Sequence, residues 1–112
     1  MIKLDNMTDT MTAMVENILE PYIFTADEYV DENDGSVILW SNDFDTWASG
    51  KNKEEAVNQL AVEILEFSKD FYKEFDLWAK GRKTQIPYVL KALMLNDAEK
   101  IGGLITCRPG EI

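Results

Sequence analysis

The sequence contains no histidine, a single cysteine and no long hydrophobic run. Without histidine, the chain can form neither a Ser-His-Asp nor a Cys-His catalytic arrangement, and it has no histidine metal ligand. Cys107 alone excludes an internal disulfide and a thiolate metal cluster. No apolar run approaches the ~20 residues of a membrane span, and no basic start precedes an apolar stretch. We therefore expect a cytoplasmic protein with no cofactor and no membrane partner.

Basic residues are scarce. The chain has 11 Lys and Arg against 21 Asp and Glu, for a net charge of −10. This charge repels phosphate backbones and favours a basic partner, so direct nucleic-acid binding is not expected. Apolar residues make up 46% of the 112 residues, which is typical of a globular chain with one modest core. We predict a single domain over 1–112, with its core at about 20–80 and a C-terminal helical segment at 84–106.

The clearest pattern lies in residues 52–75, where apolar side chains recur at the i, i+3, i+4 spacing of one helix face. Asn52 can cap the start, and Glu55 can complete a capping box. The sequence therefore predicts a helix over 53–75 whose apolar face needs cover from a sheet or a partner. That face comprises Ala56, Val57, Leu60, Ala61, Ile64, Leu65, Ser68, Phe71, Tyr72 and Phe75.

Upstream, little pattern precedes Thr10, from which a short amphipathic helix should run to Pro21. Runs rich in aromatic and β-branched residues then predict strands at roughly 22–31, 36–41 and 45–50. Gly35, after Asp34, can take the positive φ of a tight hairpin turn. The predicted fold is α+β, with an antiparallel three-stranded sheet in β-β-β-α order.

Downstream, the long helix is expected to continue towards Gly81. Pro87 suits the first residue of a new helix capped near Thr84, and Asn96 or Asp97 can cap a last short helix. The two short helices would form a C-terminal αα-hairpin.

The run DGSVILWSNDFDTWASGKNKEEAV resembles the core of HicB-like and RelB-like antitoxins. IPYVLKALML resembles the tail of the RelB-like group, and together the likeness covers about residues 18–105. The matching positions in the first run are Asp34, Gly35, Asp43, Gly50, Glu54, Glu55 and Ala56.

This resemblance implies a partial RNase-H-like sheet with a helix on one face, usually dimeric, that neutralises a small basic mRNA-cleaving toxin. Two departures stand out. Ser41 replaces a proline common in the family, and neither end carries an evident separate DNA-binding domain, which puts operator binding in doubt.

The charged and aromatic residues admit alternative interpretations. The acidic run before Gly35 fails the calcium-loop spacing, and Asp43 with Asp45 could belong to a metal-dependent nuclease but more often just form a turn. Helix 87–95 and the helix after it could form a DNA-reading pair, but Lys91 and Lys100 are their only basic residues. The tryptophans Trp40, Trp47 and Trp78 are expected mostly in the core, and any left on the outer sheet face would mark a partner surface.

We therefore predict an antitoxin-like binding protein without enzymatic activity, acting as a homodimer on a basic toxin. The alternative is a small metal-dependent nuclease or other enzyme that uses the acidic loops. The expected partner-binding residues lie in the apolar C-terminal segment, and they are Ile86, Tyr88, Val89, Leu93, Leu95, Ile101 and Leu104.

Overall fold

The computed structural model describes residues 8–110, which form five helices and four strands. The prediction for the first residues of the chain falls largely outside this range. In chain order the elements are α1 Asp9–Leu19, β1 Thr25–Val30, β2 Val37–Ser41, β3 Thr46–Gly50, α2 Lys53–Lys73, α3 Phe75–Trp78, a 3₁₀ turn Lys83–Gln85, α4 Ile86–Leu95, α5 Ala98–Leu104 and β4 Thr106–Pro109.

Helix α2 forms as its apolar spacing predicts. The Asn52 side chain accepts a hydrogen bond from the Glu55 backbone N–H at 2.9 Å, which caps the first turn. The buried side of the helix carries Ala56, Leu60, Ala61, Ile64, Ser68 and Phe71.

The predicted continuation of α2 to Gly81 is wrong. The helix ends at Lys73, because Glu74 leaves helical geometry at φ −117° and ψ 42°. A single further turn, α3, then follows. The Trp78 ring packs edge-on against the Phe67 ring at 5.4 Å between centroids, so the chain folds back over the apolar end of α2.

The first three strands form the predicted antiparallel meander, with β1 paired to β2 and β2 to β3. Gly35 takes φ +75° in the hairpin turn, where its backbone N–H donates to the Asp31 carbonyl at 2.8 Å. Gly50 ends β3 directly beneath α2. A Cβ built on Gly50 would lie 2.5 Å from the Ala56 backbone nitrogen, so the helix can approach the sheet this closely only over glycine.

The three-stranded antiparallel sheet itself needs correction, because the sheet has four strands and is mixed. Strand β4 pairs in parallel with β1, giving the order β3-β2-β1-β4. Residues 106–109 show no strand pattern of their own, since the segment is short and ends in Pro109. Its pairing depends on α4 and α5 returning the chain to β1, which is a long-range event that local sequence does not encode.

The C-terminal αα-hairpin forms, although its first helix begins differently from the prediction. A 3₁₀ turn precedes α4, and no side chain caps that helix, so Thr84 does not have the predicted role. Asn96 ends α4 at φ 45°, and the Asp97 carboxylate accepts from the Glu99 N–H at 2.8 Å to start α5.

One hydrophobic cluster joins the sheet to the helices. Helix α2 covers the inner sheet face, α4 and α5 pack on α2, and α1 packs on α4. Phe44, from the loop after β2, is fully buried and stacks edge-on with Phe24 at 5.4 Å. Within residues 8–110, none of the helices is long and apolar enough to cross a membrane.

Candidate partner-binding surfaces

The sheet face opposite α2 carries large aromatic and aliphatic side chains. Because the helices pack on the inner face, the other side of the meander meets solvent. The Trp47 side chain is 57% exposed, and Trp40 beside it is partly exposed. We call this surface the outer sheet face, and it comprises Asp27, Tyr29, Ile38, Trp40 and Trp47.

This arrangement departs from the expectation that the tryptophans are mostly core residues. A sequence signal for it exists in β2, which reads Val-Ile-Leu-Trp-Ser with no charged residue on either side. A sheet with one solvated face normally alternates apolar and polar residues. Apolar residues on both sides of β2 therefore indicate a second face that needs cover.

Polar side chains connect the outer sheet face into a chain of hydrogen bonds. The Trp40 indole N–H donates to Asn42 Oδ1 at 2.7 Å, and Asn42 Nδ2 donates to Asp27 Oδ2 at 3.3 Å. Arg108 of β4 donates to the other oxygen of Asp27. Strand register aligns Trp47, Trp40, Asp27 and Arg108 in one row across all four strands.

Acidic loops lie at both ends of the meander. In the hairpin turn, Asp31 Oδ1 accepts from the Asn33 N–H at 2.8 Å and Asp34 Oδ1 from the Ser36 N–H at 2.9 Å. Hydrogen bonds from Ser36 lower the pKa of Asp34, so its carboxylate stays charged. These carboxylates shape the turn and point their charge to solvent.

At the other end of the meander, Asp43 and Asp45 border a cleft of about 470 Å³. Asp43 Oδ2 accepts from the Thr25 backbone N–H at 2.9 Å and from its hydroxyl at 3.2 Å, which fixes the loop to the start of β1. The opposite wall comes from the 3₁₀ turn and α4. Besides the two aspartates, the cleft is lined by Asn42, Gly81, Arg82, Thr84, Gln85 and Tyr88.

Tyr88 joins three parts of the chain at this cleft. Its ring packs edge-on against Tyr22 at 5.4 Å and against Phe44 at 6.2 Å. Burial raises the pKa of Tyr88, and the nearby Asp43 and Tyr22 raise it further. The phenol is therefore neutral throughout the physiological range.

The predicted partner-binding residues of the C-terminal segment differ in their availability. Val89 and Ile101 are 3% and 0% exposed and belong to the core, whereas Leu104 is 45% exposed. Partner binding through the whole set stays a prediction. The core explains why this segment is so apolar, because α4 and α5 bury their faces on α2. Ile86, Tyr88, Leu93 and Leu95 are partly buried against the same cluster.

Lys91, a candidate DNA contact in the sequence, forms contacts within the chain. Its Nζ donates to the Tyr22 carbonyl at 3.0 Å and lies 5.5 Å from the centre of the Phe24 ring. In this position the charge holds the segment after α1 against α4.

The acidic loops do not assemble a metal centre in the part of the chain that the structure describes. Across residues 8–110, no three His, Cys, Asp or Glu side chains come close enough to hold a metal ion. Cys107 faces the inner side of β4, where burial raises the pKa of its thiol and so lowers its reactivity.

A second exposed apolar surface lies on α1. Met11, Met14 and Ile18 are 49%, 62% and 66% exposed and follow one side of the helix. We call these three residues the α1 stripe.

A small acidic α+β chain with an uncovered aromatic sheet face has the features of a protein-binding module. Residues 2–107 match the PHD-like family, described as antitoxins of RelE/RelB toxin–antitoxin systems, and the chain belongs to that family. The resemblance to antitoxins found in the sequence is confirmed. No curated protein sequence matches the chain.

A solved structure supports the same conclusion. The chain is similar to a protein from Syntrophomonas wolfei subsp. wolfei described as the antitoxin part of a proposed toxin/antitoxin system. The two chains superpose with a TM-score of 0.79 at 26% identity, over 88% of this chain and 71% of the other. The protein is thus an antitoxin, with a toxin as its partner.

Proposed function

We propose that this antitoxin neutralises a small, basic, mRNA-cleaving toxin by direct protein–protein contact, and that residues 1–112 act as one antitoxin domain in the cytoplasm. The toxin's activity follows from the resemblance to RelB-like antitoxins, and contact with a folded surface is what a chain without catalytic motifs can offer. We further propose that the chain has no enzymatic activity of its own.

The observation that carries the proposal is unbalanced charge. The net charge is −10, and within residues 8–110 the ion pairs are Lys53 with Glu28 and Arg108 with Asp27. Most carboxylates of the described residues therefore have no basic partner among those residues. Such a surface attracts a basic protein over long range and accelerates its association.

The experiment is co-expression with the open reading frames on either side of this gene, followed by capture of the antitoxin and identification of any basic protein that accompanies it. On the purified pair, the association rate should fall steeply as salt rises, because attraction between surfaces is screened over about 8 Å at physiological ionic strength. An association rate independent of salt would contradict the electrostatic part of the proposal.

The enzymatic alternative has its own outcome. If no basic protein is captured, while divalent metal raises the melting temperature and nucleic acid is cleaved, a metal-dependent nuclease replaces the antitoxin mechanism. Asp43→Asn should then abolish cleavage.

We retain the C-terminal segment as a proposed toxin contact, now centred on Leu104. Leu104 is exposed, whereas Val89 and Ile101 could reach a partner only if α4 and α5 left α2. Leu104→Ser should weaken toxin binding without unfolding the chain. A truncation after Gly81 is a poor test, because it would also remove β4 and uncover the core.

We also propose a homodimer. Strand β3 is an edge of the sheet, and the α1 stripe lacks cover within the described residues. Light scattering across a concentration series should give twice the chain mass, and Ile18→Ser should lower the apparent mass if the α1 stripe contributes. A monomeric mass at every concentration would refute the dimer.

A further inference from the structure

We propose that the outer sheet face, in addition to the contact at Leu104, is the main surface on which the basic toxin docks, with its tryptophans as apolar anchors and its acidic loops as a charged rim. This inference rests on the proposed function and adds where on the antitoxin the toxin binds.

Large aromatic and aliphatic side chains meet solvent on this face. Trp47 is 57% exposed in the edge strand, and Trp40, Ile38 and Tyr29 continue the apolar surface inward from it. Adjacent strands lie about 4.8 Å apart, so the row from Trp47 to Arg108 spans roughly 14 Å. Tryptophan and tyrosine are enriched at the energetic centres of protein interfaces, where they are buried by the partner.

Hydrogen bonds hold the centre of the outer sheet face in place. The Trp40 indole is held by Asn42, Asn42 is held by Asp27, and Asp27 is paired with Arg108. Trp40 therefore stands on a paired strand with its indole N–H already satisfied. Because these side chains are already ordered, binding of a partner to this surface costs little side-chain conformational entropy.

Charge selects the chemistry of the partner. Residues 25–50 contain seven Asp and Glu and no Lys or Arg. Asp27 and Glu28 pair with Arg108 and Lys53 from outside the meander. The others lie in the two loops that flank the face, and they are Asp31, Glu32, Asp34, Asp43 and Asp45.

This rim distinguishes a basic protein from a second copy of the chain. Two outer sheet faces placed against each other would bring acidic loops of like charge together, which costs free energy. A basic toxin instead gains attraction at both ends of the meander. The cleft beside Asp43 and Asp45 is continuous with the face through Asn42, so a lysine or arginine of the toxin can enter it.

The experiment compares matched variants in binding to the basic protein that wild-type antitoxin captures on co-expression. Trp47→Ser removes an exposed anchor, and Leu77→Ser removes a leucine that is 74% exposed on α3, outside the face. Both remove surface apolar groups, so folding should survive in each, which circular dichroism checks. We expect Trp47→Ser to raise the Kd by about 30-fold or more, as for an interface hot spot, and Leu77→Ser to leave it unchanged.

A second pair tests the rim. Asp45→Asn removes one charge at a residue with φ +52°, a conformation that asparagine also accepts, and Glu66→Gln removes one charge from the exposed side of α2. Asp45→Asn should slow association more than Glu66→Gln. In a Trp78→Phe background, emission from the two remaining tryptophans should shift to shorter wavelength when the toxin binds.

The outcomes separate this inference from the proposed function. If wild type captures no basic protein, the proposed function fails and the inference fails with it. If wild type binds toxin and Trp47→Ser binds equally well, only the docking surface is wrong. If Trp47→Ser instead turns a dimer into a monomer while toxin affinity is unchanged, the face is the contact between two copies and the inference is overturned.

Discussion

Ser68 faces the core from α2 with a fully buried hydroxyl that has no hydrogen-bond partner among the described residues. Leaving a buried polar group unpaired costs free energy. We predict that Ser68→Ala raises the free energy of unfolding by about 1 kcal/mol beyond the gain in helix propensity. The control is Asn58→Ala, at an exposed position of α2. It should raise the free energy of unfolding by about 0.5 kcal/mol through helix propensity alone. Equal gains in urea denaturation would show that the hydroxyl is satisfied.

Gly50 is the residue on which the approach of α2 to β3 depends. A Cβ there would meet the Ala56 nitrogen at 2.5 Å and the Glu55 carbonyl carbon at 2.8 Å, and backbone cannot yield as a flexible side chain can. Gly50→Ala should therefore lower the free energy of unfolding by about 2 kcal/mol or more. Gly103→Ala is the matched control, because open space surrounds it in α5 and helix propensity should make it neutral or stabilising.

At the scale of the element, α2 derives its stability from its buried face. Leu60 and Ile64 are 0% and 1% exposed, whereas Val62, on the same helix, is 43% exposed. Leu60→Ala or Ile64→Ala should cost about 2–5 kcal/mol, because each leaves a cavity in the core. Val62→Ala should cost less than about 1 kcal/mol. Equilibrium denaturation measures these losses, and similar losses at all three positions would contradict the assigned buried face.

The strands show how far local sequence patterns can predict secondary structure. The three meander strands were predicted within a few residues, because each carries aromatic and β-branched residues and is bounded by turn residues. Strand β4 has one β-branched residue, Thr106, and no aromatic residue, and its four residues become a strand only by pairing with β1. The sequence predicts elements that are stable by local pattern, and it misses those that another element creates.

At the scale of the whole molecule, Tyr88 links the segment after α1, the loop after β2, and α4. Its pKa is raised in the fold, so below the ordinary tyrosine pKa of about 10 both states hold the proton and the contribution to stability is complete. As pH rises further, the unfolded chain loses this proton first and stability falls until the folded pKa is passed. Stability should therefore fall less steeply above pH 10 in Tyr88→Phe than in wild type, measured by denaturation at each pH. Identical slopes would contradict the assignment.

The sequence by itself determined the long helix, the meander and the hairpin turn, because periodic burial, capping by Asn52 and the positive φ of Gly35 are local properties. It also determined the net charge of −10, from which we propose a basic partner. The family resemblance was likewise readable from local motifs. These include Gly35 and Gly50, two positions where the backbone geometry of the fold requires glycine.

Only the tertiary structure decided which apolar residues are buried in the core and which remain exposed. The C-terminal residues Val89 and Ile101 are apolar and buried by α2, whereas Trp47 is apolar and faces solvent. Hydrophobicity identifies a side chain that favours leaving water, but it does not say whether the chain's own helices or a second protein will cover it. That choice depends on which face of the sheet the helices cover.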